Sequence, residues 1–142
     1  MEALKNVLPE PELWQLAGGK WQVASGNPNL DLLIVSWGSN KSVILDVLAT
    51  SHKPQATGYL HYTYMWPLKT DRLLELSKKA KKIILIEQNF TGQLGEVIRM
   101  SCGLTITEKI LKYDGRPFFF DELLSKLSQS LPVRQAGVIR NP

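Results

Sequence analysis

The chain has 142 residues, 44% of them hydrophobic and 21% charged, with a net charge of +4 and a single cysteine. That length supports one domain with a real core and leaves little room for a second. One cysteine, Cys102, excludes an iron–sulfur cluster or a cysteine-based zinc site held by this chain alone. No apolar run approaches the roughly 18 residues that a membrane-spanning helix needs. The lone thiol fits a reducing compartment, and the early acidic residues with Pro9 and Pro11 do not make a signal peptide, so a cytoplasmic protein is expected.

In chain order, residues 1–19 read as an irregular lead-in or linker, with one helical turn over Glu12 to Leu16 and a break at Gly18-Gly19. Lys20 to Ser25 alternates and suits an edge strand, and Gly26-Asn27-Pro28-Asn29 is a turn. Asp31 to Ser39 is a second strand, apolar throughout from Leu32 to Val35. A helix follows from Lys41 to about His52, ended by Lys53-Pro54. Thr57 to Trp66, rich in aromatic and branched residues, is a third strand closed by Pro67. Thr70-Asp71 opens a helix carrying Leu73, Leu74, Leu76 and Ala80.

The run Ile83-Ile84-Leu85-Ile86 has the continuous apolarity of a strand covered on both faces. Its helix, capped by Thr91 or Asn89, places Leu94, Val97, Ile98 and Ser101 or Cys102 at helical spacing and ends at Gly103. Thr105 to Tyr113 is a fifth strand, and after the Asp114-Gly115 turn a last helix carries Phe120, Leu123, Leu124, Leu127 and Leu131 on one stripe. One strand followed by four strand–helix units predicts a single three-layer α/β/α domain over 20–131, with a tail over 132–142.

Few residues suggest chemistry. Gly38-Ser39-Asn40 is half of a phosphate loop without its lysine or glycine spacing, and is read as a strand-to-helix turn. Gly92 is read as permitting a tight turn, and Gly95 as close packing of helix on sheet. His52 and His61 lack partners at metal-ligand spacing and are read as structural. Lys78, Lys79, Lys81 and Lys82 fit a helix C-terminus better than a nucleic-acid patch. Glu87 lies where a central strand ends: it is either a desolvated acid, base or ligand, or a carboxylate that binds backbone N–H groups of a neighbouring helix. Without a second carboxylate or histidine beside it, the second role is favoured.

Four stretches, DLLIVSWGSNKSVILDVL, YMWPL, IEQNFTGQLGEVIRM and KILKYDGRPFFFDEL, occur in the order found in one family. Over Lys20 to Leu124 the chain resembles the C-terminal domain of 2-oxoacid:ferredoxin oxidoreductase alpha subunits, itself similar to the transketolase C-terminal domain. The more specific pieces are Asn89 with Gly92-Gln93-Leu94, and Lys112 to Phe118. The resemblance implies a five-stranded mixed sheet of order 1-3-2-4-5 with the first strand antiparallel, which suits an edge strand at Lys20 to Ser25.

It also implies a parent enzyme that uses thiamine diphosphate, Mg and iron–sulfur clusters to convert a 2-oxoacid to acyl-CoA, passing electrons to ferredoxin. The thiamine-binding surfaces lie in other domains, and Glu87 is not the cofactor-activating glutamate. No catalytic, cofactor-binding or metal-binding residue is therefore expected here. By resemblance, Glu87, Asn89, Gly92, Gln93, Tyr113, Asp114, Gly115, Arg116, Pro117 and Phe118 support docking to the rest of the alpha subunit and to beta subunits, with gamma and delta subunits as further partners. The alternative is a stand-alone interaction or nucleotide-binding module on the same fold.

Overall fold

The computed structural model describes residues 8–50, 56–65, 67–88, 92–112 and 114–130. His52, Lys53, Pro54, Trp66, Asn89, Thr91, Tyr113, Leu131 and the tail, on which some of these expectations fall, lie outside the described residues.

Among the described residues six strands form one sheet: β1 (Glu12–Ala17), β2 (Lys20–Ala24), β3 (Leu30–Trp37), β4 (Thr57–Tyr62), β5 (Ala80–Glu87) and β6 (Glu108–Leu111). Four helices follow the last four strands: α1 (Lys41–Thr50), α2 (Asp71–Lys79), α3 (Gln93–Cys102) and α4 (Phe120–Ser130). The strand order is β2-β1-β4-β3-β5-β6. Strands β4, β3, β5 and β6 are parallel, and β1 runs antiparallel to both β4 and β2.

The expected five-stranded sheet is thus corrected to six. Glu12–Ala17 is neither irregular nor a helical turn; it is the antiparallel strand that borders β4, and it displaces Lys20–Ala24 to the outer edge. The reason is visible in the residues. Gly18 and Gly19 both take positive φ, 60° and 82°, as a two-residue hairpin turn requires, so the pair joins two strands and does not end a linker. Leu13 of β1 is fully buried in the core.

The continuous apolar runs sit in the middle of the sheet as their composition demands. Leu33, Ile34 and Val35 of β3 and Ile84, Leu85 and Ile86 of β5 are fully buried. Alternate side chains feed two cores. Leu33, Val35, Leu60, Tyr62 and Leu85 meet Leu73 and Leu76 of α2 and Leu94 and Ile98 of α3. On the other face Leu32, Ile34, Tyr59, Ile84 and Ile86 meet Ile44 and Val47 of α1 and Leu123 and Leu127 of α4. Each such side chain contributes about 1.5–3 kcal/mol relative to exposure. Helices on both faces make the three layers.

Two consequences position the candidate site. Neighbouring parallel strands β3 and β5 are followed by helices on opposite faces, α1 and α3. Their carboxyl ends, Trp37 and Glu87, therefore flank the crevice where open α/β sheets receive ligands.

Candidate functional site: the carboxyl-end crevice and its rim

Glu87 is fully buried, and its carboxylate is taken up within the chain. The Trp37 indole N–H donates to Oε1 at 2.9 Å. At the start of α3 the Leu94 N–H donates to Oε1 at 2.8 Å and the Gly95 N–H to Oε2 at 3.2 Å. A helix N-terminus carries unpaired N–H groups and a partial positive charge, so a carboxylate from the preceding strand is a suitable cap. Gly92, at φ 70°, turns the chain into that position, and its missing side chain leaves space 3.5 Å from Glu87 Oε2. Gly95 is equally constrained: a Cβ there would lie 2.8 Å from Leu85 Cδ2. Glu87, Gly92 and Gly95 take the roles read from the sequence, while the expected caps Thr91 and Asn89 lie outside the described residues.

Around this network the three loops are tied together. Ser36 Oγ donates to the Ile86 carbonyl at 2.6 Å, and Lys112 N–H to the Glu87 carbonyl at 3.0 Å. Ser39 Oγ lies 3.5 Å from Gln88 Oε1, and Gln88 Nε2 donates to the Arg116 carbonyl at 3.2 Å. Lys112 is buried, paired with Glu122 at 2.6 Å, with its ammonium 4.6 Å from the Phe119 ring centre. The Arg116 guanidinium bonds Asp114 at 2.8 Å and holds that carboxyl below its ordinary range.

The expected docking residues divide. Gln93, Asp114, Gly115, Arg116 and Pro117 are exposed on the rim. Glu87, Gly92 and Phe118 are buried, Phe118 in the core against α1 and α4. Beside the exposed set stands Phe119, 53% exposed. Arginine with an exposed aromatic ring is the chemistry of interface anchors.

A second polar group lies at the carboxyl end of β4 and was not legible in the sequence. Glu12 and His61 face each other across the β1–β4 pair. The Trp14 indole N–H donates to Glu12 at 3.1 Å, and Lys41 lies 3.4 Å from the same carboxylate. Burial works against ionisation of Glu12, yet the Trp14 bond and the Lys41 charge hold its carboxyl below the ordinary range. The Tyr59 hydroxyl, pushed up by burial and so protonated, is hydrogen-bonded to His61 Nδ1 at 2.8 Å. Burial and then Lys41 lower the His61 imidazole. The strand at Glu12–Ala17 brings these groups together, and that segment carries no clear strand pattern.

The lysine cluster disperses into pairs: Lys78 with Glu75 at 3.7 Å, Lys79 with the Asn27 carbonyl at 2.7 Å, Lys81 with Asp31 at 3.1 Å and Lys82 with Glu108 at 3.8 Å. The Gly38–Asn40 turn leads into α1 with the Asn40 amide turned inward to Ser36 at 3.3 Å. Cys102 Sγ donates to the Ile98 carbonyl at 3.3 Å on a half-buried helix face. One cysteine in the sequence does not fit an iron–sulfur cluster, and among the described residues no three His, Cys, Asp or Glu side chains are grouped to hold a metal ion. Among the described residues no helix is long and apolar enough to cross a membrane.

A three-layer α/β domain in which Trp37 and Glu87 bond each other at the carboxyl ends of the central strands defines a structural class but not an activity. Comparison with known proteins supplies the family. No family model matches the chain. The 2-oxoacid:ferredoxin oxidoreductase alpha subunit of Saccharolobus solfataricus is 33% identical over 99 residues, 69% of this chain and 16% of that protein. Subunit alpha of 2-oxoacid:ferredoxin oxidoreductase 1 from Sulfurisphaera tokodaii is 31% identical over 116 residues, 82% of this chain and 18% of that protein. A solved structure of 2-oxoglutarate:ferredoxin oxidoreductase from Magnetococcus marinus, with 2-oxoglutarate, coenzyme A and succinyl-CoA bound, superposes with a TM-score of 0.72 over 91% of this chain and 21% of that one. At 18% identity that likeness concerns the fold.

The chain belongs to the 2-oxoacid:ferredoxin oxidoreductase alpha-subunit family, matching the C-terminal domain of those subunits. It spans less than a fifth of the length of these two curated relatives.

Proposed function

We propose that this chain is the assembly domain of a thiamine-diphosphate-dependent 2-oxoacid:ferredoxin oxidoreductase alpha subunit, and that it performs no chemistry in isolation. The observation that carries this reading is the fate of the switch-point crevice. Glu87 Oε1 accepts from Trp37 and from the Leu94 N–H, and Oε2 from the Gly95 N–H, so this carboxylate and these two N–H groups are committed to holding the fold. The network instead fixes the loops that display Gln93, Asp114, Arg116 and Phe119. Rigid display of an arginine and an aromatic ring suits docking, because less conformational freedom is lost on binding.

In the enzyme, oxidative decarboxylation of a 2-oxoacid to acyl-CoA would take place on thiamine diphosphate, with Mg and iron–sulfur clusters, all held by other domains and subunits. Ferredoxin and coenzyme A are partners of that complex. This chain's own part is to position those domains through the rim. Incubating the purified chain with a 2-oxoacid, thiamine diphosphate, Mg, coenzyme A and a redox dye should give no dye reduction above buffer. Cofactor-dependent reduction by this chain alone would overturn the reading.

A further inference from the structure

The β1–β2 hairpin has an apolar face and an edge with no partner strand among the described residues, and the two are matched to each other. The register pairs Trp14 with Val23 and Leu16 with Trp21, so these residues share one face, while Gln15, Gln22 and Lys20 occupy the other. Trp14 and Trp21 are partly packed on the core, but Leu16 is 58% and Val23 54% exposed. Among the described residues β2 has a neighbour on one side only. It contains no proline, and Lys20 is its only charge, so it lacks most of the devices that keep edge strands from pairing.

In a two-residue hairpin the residues flanking the turn, here Ala17 and Lys20, form a hydrogen-bonded pair, and the pattern then alternates. Lys20, Gln22 and Ala24 therefore turn their backbone groups toward β1. Trp21 and Val23 turn theirs outward, to the free edge.

We infer that two copies of this chain pair through β2, antiparallel and centred on Gln22. The outward backbone groups suit that centre, because Trp21 of each copy then exchanges N–H···O=C bonds with Val23 of the other and both outward residues of β2 are paired. Side chains agree with it. Trp21 stands against Val23, Lys20 opposite Ala24 with no like charge facing it, and Gln22 meets its own counterpart across the twofold axis. An aromatic–branched pair is among the favourable cross-strand combinations, and a self-complementary patch is what a twofold interface requires. The apolar faces of the two hairpins, each with Leu16 and Val23 exposed, then join into one strip. The pairing is a property of this chain alone, and it stands or falls apart from any place in a larger enzyme.

Sedimentation velocity over a micromolar-to-millimolar range tests it. The wild-type chain should rise from the 16.0 kDa of one copy toward twice that mass. Gln22→Lys and Gln22→Glu, each alone, should weaken association by about tenfold, since like charges then face each other across the axis. Mixing the two variants should restore it. Val23→Pro removes an outward N–H without touching the bonds to β1, and should also abolish pairing while retaining the far-ultraviolet spectrum. A wild-type chain that stays at 16.0 kDa throughout overturns the inference. So does a dimer that ignores both single charges and gains nothing from their mixture, which would put the contact elsewhere.

Discussion

The Trp37 indole N–H reaches Glu87 Oε1 at 2.9 Å across the gap between β3 and β5, and the same oxygen accepts the Leu94 N–H at 2.8 Å. One buried carboxylate thus joins two strands to the helix on the far side of the crevice. Hydrogen bonds to a charged acceptor are worth about 1.5–3 kcal/mol each, and a buried partner left unpaired costs a similar amount. Glu87→Gln should lower unfolding free energy by about 2–4 kcal/mol in urea titration, and Trp37→Phe by about 1–2 kcal/mol. The two effects should be non-additive in the double variant, because both remove the same bond.

Gly92 and Gly95 should fail for different reasons. Ala at position 92 must hold φ 70°, a strain of about 1–2 kcal/mol, and Asn there should cost less because it tolerates the left-handed region. Ala at position 95 meets Leu85 Cδ2 at 2.8 Å. Overpacking of about 1–3 kcal/mol outweighs the gain of about 1 kcal/mol in helix propensity. Gly95→Ala combined with Leu85→Ala should recover part of that loss relative to the sum of the single changes, a coupling absent for Gly92→Ala.

Arg72 pins the segments around the hairpin. Its guanidinium donates to the carbonyls of Pro11 at 3.3 Å, Ala24 at 2.9 Å and Gly26 at 2.8 Å and to Asn27 Oδ1 at 3.3 Å. A planar fork with several donors serves diverging acceptors in a way that one ammonium cannot. Arg72→Lys should therefore lose about 1–3 kcal/mol and raise amide exchange in Glu12–Leu13 and Ala24–Asn27, leaving β5 protected.

The pH dependence should carry the signature of His61. Its folded-state imidazole is lowered by burial and by Lys41, so the neutral ring is the form that folding favours. Stability from this group is fully present above the unfolded value and is lost as pH falls through the lowered folded value. The decline should begin below about pH 6.5. His61→Gln cannot take up this proton, so its stability curve should be flatter than wild type across that window, before the carboxylates titrate. Glu12, lowered as well, contributes its own loss in the more acidic range.

The central strands, the four helices and the capping role of Glu87 were legible because their signals are local: continuous apolar runs, helical spacing, and glycines at forced turns. The edge was not. Glu12–Ala17 offers ELWQLA, which alternates only weakly, and between prolines and paired glycines it reads as a break. Its strand character comes from β4 and β2 on either side. The Glu12–Lys41–His61 group was invisible for the same reason, since sequence separation hides partners that only sheet pairing brings together. The rim was legible as a motif through the resemblance, yet which of its residues face outward depended on how the loop from Asp114 to Phe119 packs on α4.

The most direct test of the assembly account is a chimera in which this chain replaces the matched region of the Saccharolobus solfataricus alpha subunit, purified with that enzyme's remaining subunits. The chimera should assemble to the native mass. Arg116→Glu combined with Phe119→Ser should release the partner subunits while the melting temperature of the isolated chain changes little, because both side chains are exposed on the rim. A folded chimera that does not assemble, or one whose assembly is indifferent to both substitutions, would contradict the claim that the rim docks this domain.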